Sequence, residues 1–110
     1  MSTLLDAAVL DDLIEHIGAD AVRGVIALFL EECRDLGAAI ARPGADPASI
    51  GRAAHSLKSS AGQLGAIALS QAALAVESAA ATGSPALPQL VAALGECAAD
   101  TRAALAERST

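Results

Sequence analysis

Asp46-Pro47-Ala48-Ser49-Ile50-Gly51-Arg52-Ala53-Ala54-His55-Ser56-Leu57-Lys58-Ser59-Ser60-Ala61-Gly62-Gln63-Leu64-Gly65 is the stretch from which the fold can be read. Ile50, Ala53, Ala54, Leu57, Ala61 and Leu64 recur every three or four positions, the spacing of one helix face. Asp46 is placed as the N-cap and Pro47 at the first helical position: the carboxylate can accept from an unpartnered backbone N–H, and the proline ring pre-sets φ. Gly65 is predicted as the stop, since a left-handed cap costs glycine nothing. A helix with a start, a stop and one apolar face has to bury that face against something else.

The rest of the chain supplies more helices. Gly18, Pro43-Gly44-Ala45-Asp46-Pro47, Gly65 and Thr82-Gly83-Ser84-Pro85 divide it into five pieces. Residues 7–17 carry Leu10, Leu13, Ile14 and Ile17 at helical spacing, which predicts a short helix serving as a lid. Residues 20–41 hold Val22, Val25, Ile26, Phe29, Cys33, Leu36 and Ile40 within a band about 80° wide, the clearest apolar stripe in the chain. A fourth helix is expected from about Ala66 to Ala81, with Leu69, Ala72, Ala73, Val76 and Ala80 inward. A fifth starts from Ser84 and Pro85 and shows Leu87, Leu90, Val91, Leu94, Ala98 and Leu105. Long amphipathic helices joined by short loops predict an all-α fold, an antiparallel up-down four-helix bundle with the short N-terminal helix capping one end. One domain over residues 1–110 is expected, its core spanning about 7–107.

Composition agrees. Of 110 residues, 29 are alanine and 27 are Leu, Ile, Val or Phe, so the core must be thin and closely packed. Five Val, four Thr and one aromatic residue are too few for a β-sandwich or barrel. The formal charge of −6 leaves no basic face for a nucleic-acid backbone. No apolar run is long enough to span a bilayer, and the N-terminus lacks the basic start of a signal peptide; a cytoplasmic protein without membrane contact is expected. Cys33 and Cys97 are read as small core residues in a reducing compartment rather than a disulfide.

The outward face of the 46–65 helix carries the chemistry. With Ile50 at zero and about 100° per residue, His55 lies at roughly 140°, nearly opposite the core. Gly51, Ser59 and Gly62 lie beside it, where a solvated helix normally shows Glu, Lys, Gln or Arg, and a mid-helix glycine costs about 1 kcal/mol relative to alanine. Such a bare surface gives another protein access to the imidazole. Lys58, the only lysine in the chain, and Arg52 fall on either side of His55, so an anion attached to the ring is expected to have cationic partners on both flanks. The pattern suits a phosphoryl group received on an imidazole nitrogen and passed on.

Ala54-His55-Ser56-Leu57-Lys58-Ser59-Ser60-Ala61-Gly62-Gln63-Leu64-Gly65-Ala66 resembles the signature of histidine-containing phosphotransfer (HPt) domains: Ala-His-x-Leu-Lys-Gly, small residues, then a Gly-Ala pair ten residues after the histidine. His55, Leu57, Lys58, Gly65 and Ala66 carry the match. Leu69, Glu77 and Ala80 resemble the family's next helix and Phe29 its preceding one, so the resemblance runs from about residue 10 to 105. It implies a phosphocarrier rather than an enzyme with an ATP site of its own: a receiver-domain aspartyl phosphate donates to His55, and another receiver's aspartate accepts. A receiver-docking regulator or phosphate sink with little onward transfer is the alternative. Receiver domains, and a hybrid sensor histidine kinase, are the implied partners, with Mg²⁺ held by the receiver and no cofactor on this chain; a monomer is expected. By position, Lys58 would contact the phosphoryl group or hold the imidazole's surroundings, and Gln63 matches a position that is often polar near the site. Ser59 stands where glycine is usual; it keeps the surface small and adds a hydroxyl that could donate to phosphate.

Other readings are weaker. His16, beside Glu15 near the end of the first helix, is read as an interaction with that helix's C-terminus. Ser59 and Ser60 near His55 do not make a hydrolase, because no orienting carboxylate is expected behind the histidine and no oxyanion pocket is implied. His16, Cys33, His55 and Cys97 have no metal-ligand spacing, and no metal site is expected.

Overall fold

The computed structural model describes residues 4–108, and among these it contains five helices and no strand. They are α1 (Ala7–Ile17), α2 (Ala19–Ala41), α3 (Pro47–Gln63), α4 (Ile67–Thr82) and α5 (Leu87–Arg108). Short connections make sequence neighbours antiparallel. α3 packs between α2 and α4, and α5 packs against both α4 and α2, closing a ring of four. The body measures 43 × 27 × 20 Å, its long axis set by helices such as the 23-residue α2, about 35 Å long.

The caps follow the sequence grammar. Asp46 Oδ1 accepts from the Ser49 N–H at 2.7 Å, with Pro47 opening α3. At the other end, the chain enters a left-handed conformation at Gly65, φ 74°. The Asp6 N–H donates to the Gly65 carbonyl at 2.7 Å, and Asp6 Oδ1 also accepts from the Ala8 N–H, starting α1. A Cβ at Gly65 would sit 2.8 Å from Val9 Cβ and 2.9 Å from the Asp6 carbonyl oxygen. This glycine thus serves two purposes, turning α3 into α4 and letting α1 lie across that end of the bundle.

The core runs from Leu10 on α1 through Ile26, Phe29 and Cys33 on α2, Ala54, Leu57 and Ala61 on α3, and Leu69, Ala73 and Val76 on α4 to Leu94, Ala98 and Leu105 on α5. Buried alanines bring the backbones together, while each fully buried leucine contributes roughly 1.5–3 kcal/mol of apolar transfer. Thr101 is buried among them.

Three expectations need correction. Val25, placed in the inward stripe of α2, is exposed, as are Ile14 and Ile17 of α1. α1 crosses the bundle end and buries only its Leu10 edge fully, and Val25 lies at the rim of a groove, so periodicity overstated how much of each stripe meets a neighbour. α5 begins at Leu87 rather than at Ser84. The Leu87 N–H returns to the Ser84 carbonyl at 3.2 Å, and only from Leu90 to Ala86 does the α spacing begin, so Ser84-Pro85-Ala86 forms a separate turn, held also by Ser84 Oγ accepting from the Ala86 N–H. No described helix is long and apolar enough to cross a membrane.

Candidate functional site

Ala54 and Leu57 are completely buried, which fixes the rotation of α3 and turns His55, one of the two residues between them, outward. Its side chain is 61% exposed. On α4, burial of Val76 and Ala80 sets the rotation of that helix and brings Glu77 to the edge facing α3. The two meet. His55 Nδ1 donates to Glu77 Oε2 at 2.7 Å, and Lys58 Nζ donates to Glu77 Oε1 at 2.7 Å. One carboxylate therefore uses both oxygens to tie together two residues one turn apart on the neighbouring helix. Ser70 Oγ adds a further α4-to-α3 link, donating to the Lys58 carbonyl at 3.0 Å.

The charge state follows from these bonds. The Lys58 hydrogen bond, with that of His55 and the charges of both, holds the Glu77 carboxyl below the ordinary carboxylate range against the opposing effect of desolvation. An ionised carboxylate only accepts, so Nδ1 must carry the proton. In the neutral ring the lone pair then resides on Nε2, the edge directed away from Glu77.

His55 forms one wall of an open groove of about 800 Å³ between the first half of α3 and the second half of α4. Ala48, Gly51, Ala80 and Ala81 supply its small-residue lining, and Arg52, Ser56 and Glu77 its polar groups. On the other flank of α3, a groove of about 270 Å³ is lined by Leu13, Val25, Leu28 and Phe29 together with Glu32, Ser60, Gln63 and Leu64. The exposed ridge of α3 thus stands between two concave surfaces.

The sequence-predicted residues divide accordingly. His55, Gly51 and Arg52 share the first groove, with Lys58 joined to it through Glu77. Gln63 lines the second groove, two turns along the helix and on the α2 side. Ser59 is exposed on the ridge. Gly62 is exposed, and a Cβ there would stand 3.7 Å from Ser70 Oγ; one at Gly51 would stand 3.7 Å from Ala80 Cβ. Leu57 is core, and Gly65 is the turn already described.

Arg52 and Lys58, the two cations expected to flank His55, each have a side-chain partner. Lys58 is drawn to a carboxylate on α4, and Arg52 Nη2 donates to Ser49 Oγ at 3.2 Å. Glu77, absent from the sequence-based site, is the missing orienting carboxylate. Its signal was compositional: it is the only charged residue in α4, among Ala, Leu, Ile, Val, Ser, Thr and Gln. His16 donates Nδ1–H to the Asp12 carbonyl at 2.6 Å, a local bond within α1 near its C-terminus. Among the described residues, no group of three or more His, Cys, Asp or Glu side chains is arranged to hold a metal ion.

A family model described as the Hpt domain matches residues 24–104. The crystal structure of histidine-containing phosphotransfer protein B (HptB) from Pseudomonas aeruginosa PAO1 superposes with a TM-score of 0.90, covering 99% of this chain and 96% of that one at 21% sequence identity. That likeness is one of fold. No curated protein matches the chain.

Proposed function

The chain belongs to the Hpt domain family and serves histidine phosphotransfer in a phosphorelay, and we propose that His55 is the residue that carries the phosphoryl group. The observation behind this reading is the Nδ1–H bond to Glu77, which leaves Nε2 as the lone-pair nitrogen on an exposed imidazole. In the forward step, Nε2 attacks the phosphorus of a receiver's aspartyl phosphate, the P–O bond to the aspartyl oxygen breaks, and the carboxylate leaves. Nδ1 keeps its proton throughout. The positive charge that phosphorylation places on the ring is offset by the Glu77 carboxylate across that bond. Return transfer reverses the step, with another receiver's aspartate as nucleophile.

Lys58 is within one helical turn of the ring and is proposed to exchange part of its hydrogen bonding from Glu77 to the phosphoryl oxygens once they arrive. Arg52 at the groove wall and the Ser59 hydroxyl are the next donors; Gln63 is assigned to receiver contact on the α2 side. Mg²⁺ is assigned to the receiver, and the carrier step itself uses no ATP site. Receiver domains of phosphorelays are the partners of this family. We further assign a hybrid sensor histidine kinase as a source of such a receiver, a cytoplasmic location, and a monomer. Gly51, Ser59 and Gly62 keep the ridge low, and the apolar lining at Val25 and Leu28 offers surface for a receiver to cover.

The test is incubation with a phosphorylated receiver. A base-stable, acid-labile phosphate should appear on this chain and be absent from His55→Gln; a label that persists in that variant overturns the assignment. Rapid onward transfer to a second receiver supports a relay, and failure of that second step supports a phosphate sink.

A further inference from the structure

We propose that Ser70 is a positioning residue for phosphotransfer: its hydroxyl, bonded to the Lys58 carbonyl, sets the fine register of α4 against α3 at which Glu77 can serve His55 and Lys58 together. The inference rests on His55 being the phosphoryl carrier and concerns what holds its orienting carboxylate in place. Ser70 and Glu77 are the α4 residues whose side chains hydrogen-bond to α3. They are seven positions apart, two turns along nearly the same line of the helix and about 10.5 Å along its axis. Lys58 meets both. Its carbonyl accepts from Ser70 Oγ at 3.0 Å and its ammonium donates to Glu77 Oε1 at 2.7 Å, so one α3 residue is held by α4 at two heights.

α4 needs such a fixed point because little on its inward side is shaped to resist sliding. Leu69, Ala73 and Val76 seat it in the core and set its rotation, but Ala72, Ala73, Ala79 and Ala80 present single methyl groups, whose contacts change gradually with a small axial shift. The two bonds to Glu77 are directional and tolerate less. Other polar side chains of α4 do not share this role. Gln71 and Ser78 are exposed, and Thr82 Oγ1 donates to the Ser78 carbonyl within the helix itself. Removing the Ser70 hydroxyl is also a mild change. The Lys58 carbonyl lies inside α3, where the N–H four positions on belongs to Gly62, so the helical donor remains and only the second lone pair loses its partner.

The experiment compares the full-length parent chain with Ser70→Ala. With helical circular dichroism unchanged, the Glu77 carboxyl of the variant should titrate nearer the ordinary range, and nitrogen NMR should show the His55 ring losing its preference for the Nδ1–H form. Single-turnover transfer at saturating phosphorylated receiver should slow roughly threefold to tenfold, less than on loss of Glu77 itself, with the half-saturating receiver concentration unchanged. In a Glu77→Ala background, Ser70→Ala should slow transfer no further, because it acts through that carboxylate. A Glu77 titration and ring tautomer that stay as in the parent overturn the proposal, as does equal slowing in the Glu77→Ala background. The two spectroscopic readings need no receiver, so they report on Ser70 even if His55→Gln still takes up label, the result that overturns the carrier assignment instead.

Discussion

His55 and Glu77 lie 22 residues apart in sequence and 2.7 Å apart in space, with Nδ1 of the one donating to Oε2 of the other. Because Oε1 of the same carboxylate is taken by Lys58, Glu77 is the shared anchor of two α3 residues one turn apart. It positions both without standing in the path of an incoming phosphoryl group.

Replacing Glu77 should therefore change reactivity more than fold. Glu77→Ala is expected to lower the rate of phosphoryl transfer by roughly tenfold to a hundredfold, the scale met when the partner orienting a reactive imidazole is lost, with helical circular dichroism unchanged. Glu77→Gln should fall between that variant and the parent, because an amide has one accepting oxygen and cannot serve Nδ1 and Lys58 as two separate acceptors. Single-turnover transfer from a phosphorylated receiver measures both. Nitrogen NMR of the ring should show the Nδ1–H form dominant among neutral rings in the parent and a mixture of tautomers in Glu77→Ala.

Lys58→Ala should shorten the lifetime of the phosphorylated chain and slow its formation. It should also move the Glu77 carboxyl back up toward the ordinary range, since the Lys58 hydrogen bond is the largest cause of its depression. Carbon-detected titration of the Glu77 carboxyl checks the second effect without any partner protein. An unchanged Glu77 titration would remove Lys58 from this account of the site.

Acid should act on Glu77 and Asp46 in the same sense. Both carboxyls lie below their ordinary values in the folded protein, Glu77 chiefly through Lys58 and Asp46 chiefly through the backbone N–H of Ser49. A depressed folded-state value means the unfolded chain binds protons first, so the stabilisation is fully present above the unfolded-chain range and is lost as pH falls through the folded values. Denaturant midpoints recorded from about pH 7 to about pH 3 should decline over that lower window, and the decline should be shallower in Glu77→Gln and in Asp46→Asn.

Two glycines should respond oppositely. Gly62 has only ordinary contact waiting for a Cβ, so Gly62→Arg should keep or slightly raise helical stability while obstructing the ridge; receiver binding by titration calorimetry should weaken at least tenfold. Gly65→Ala meets a positive φ and two atoms closer than 3.0 Å. It should cost about 2–4 kcal/mol in urea unfolding, with loss concentrated in the packing of α1.

The elements that the sequence disclosed are those decided by neighbours three or four positions apart. Asp46 followed by Pro47 is a start signal wherever α3 ends up, and Ile50, Ala54, Leu57 and Ala61 specify an inward face, so the outward direction of His55 follows by rotation alone. The limits appear where a second helix decides. α4 carries alanine on nearly every side, and its helical phase says little until Leu69, Ala73 and Val76 are seated in the core. Val25, Ile14 and Ile17 fit their stripes yet remain exposed, because spacing measures which residues share a face and not how wide a neighbour covers that face.

The sequence alone thus determined five helical segments, the bundle they form, and a histidine standing clear among small residues. Tertiary structure alone decided what that histidine touches. A hydrogen bond needs its two groups within a fraction of an ångström of the right separation, and the phase and height of α4 against α3 are set by the whole core, from Leu10 to Leu105. Only that packing paired Lys58 with Glu77, placed Gln63 in the opposite groove, and left Nε2 as the lone-pair edge of the His55 ring.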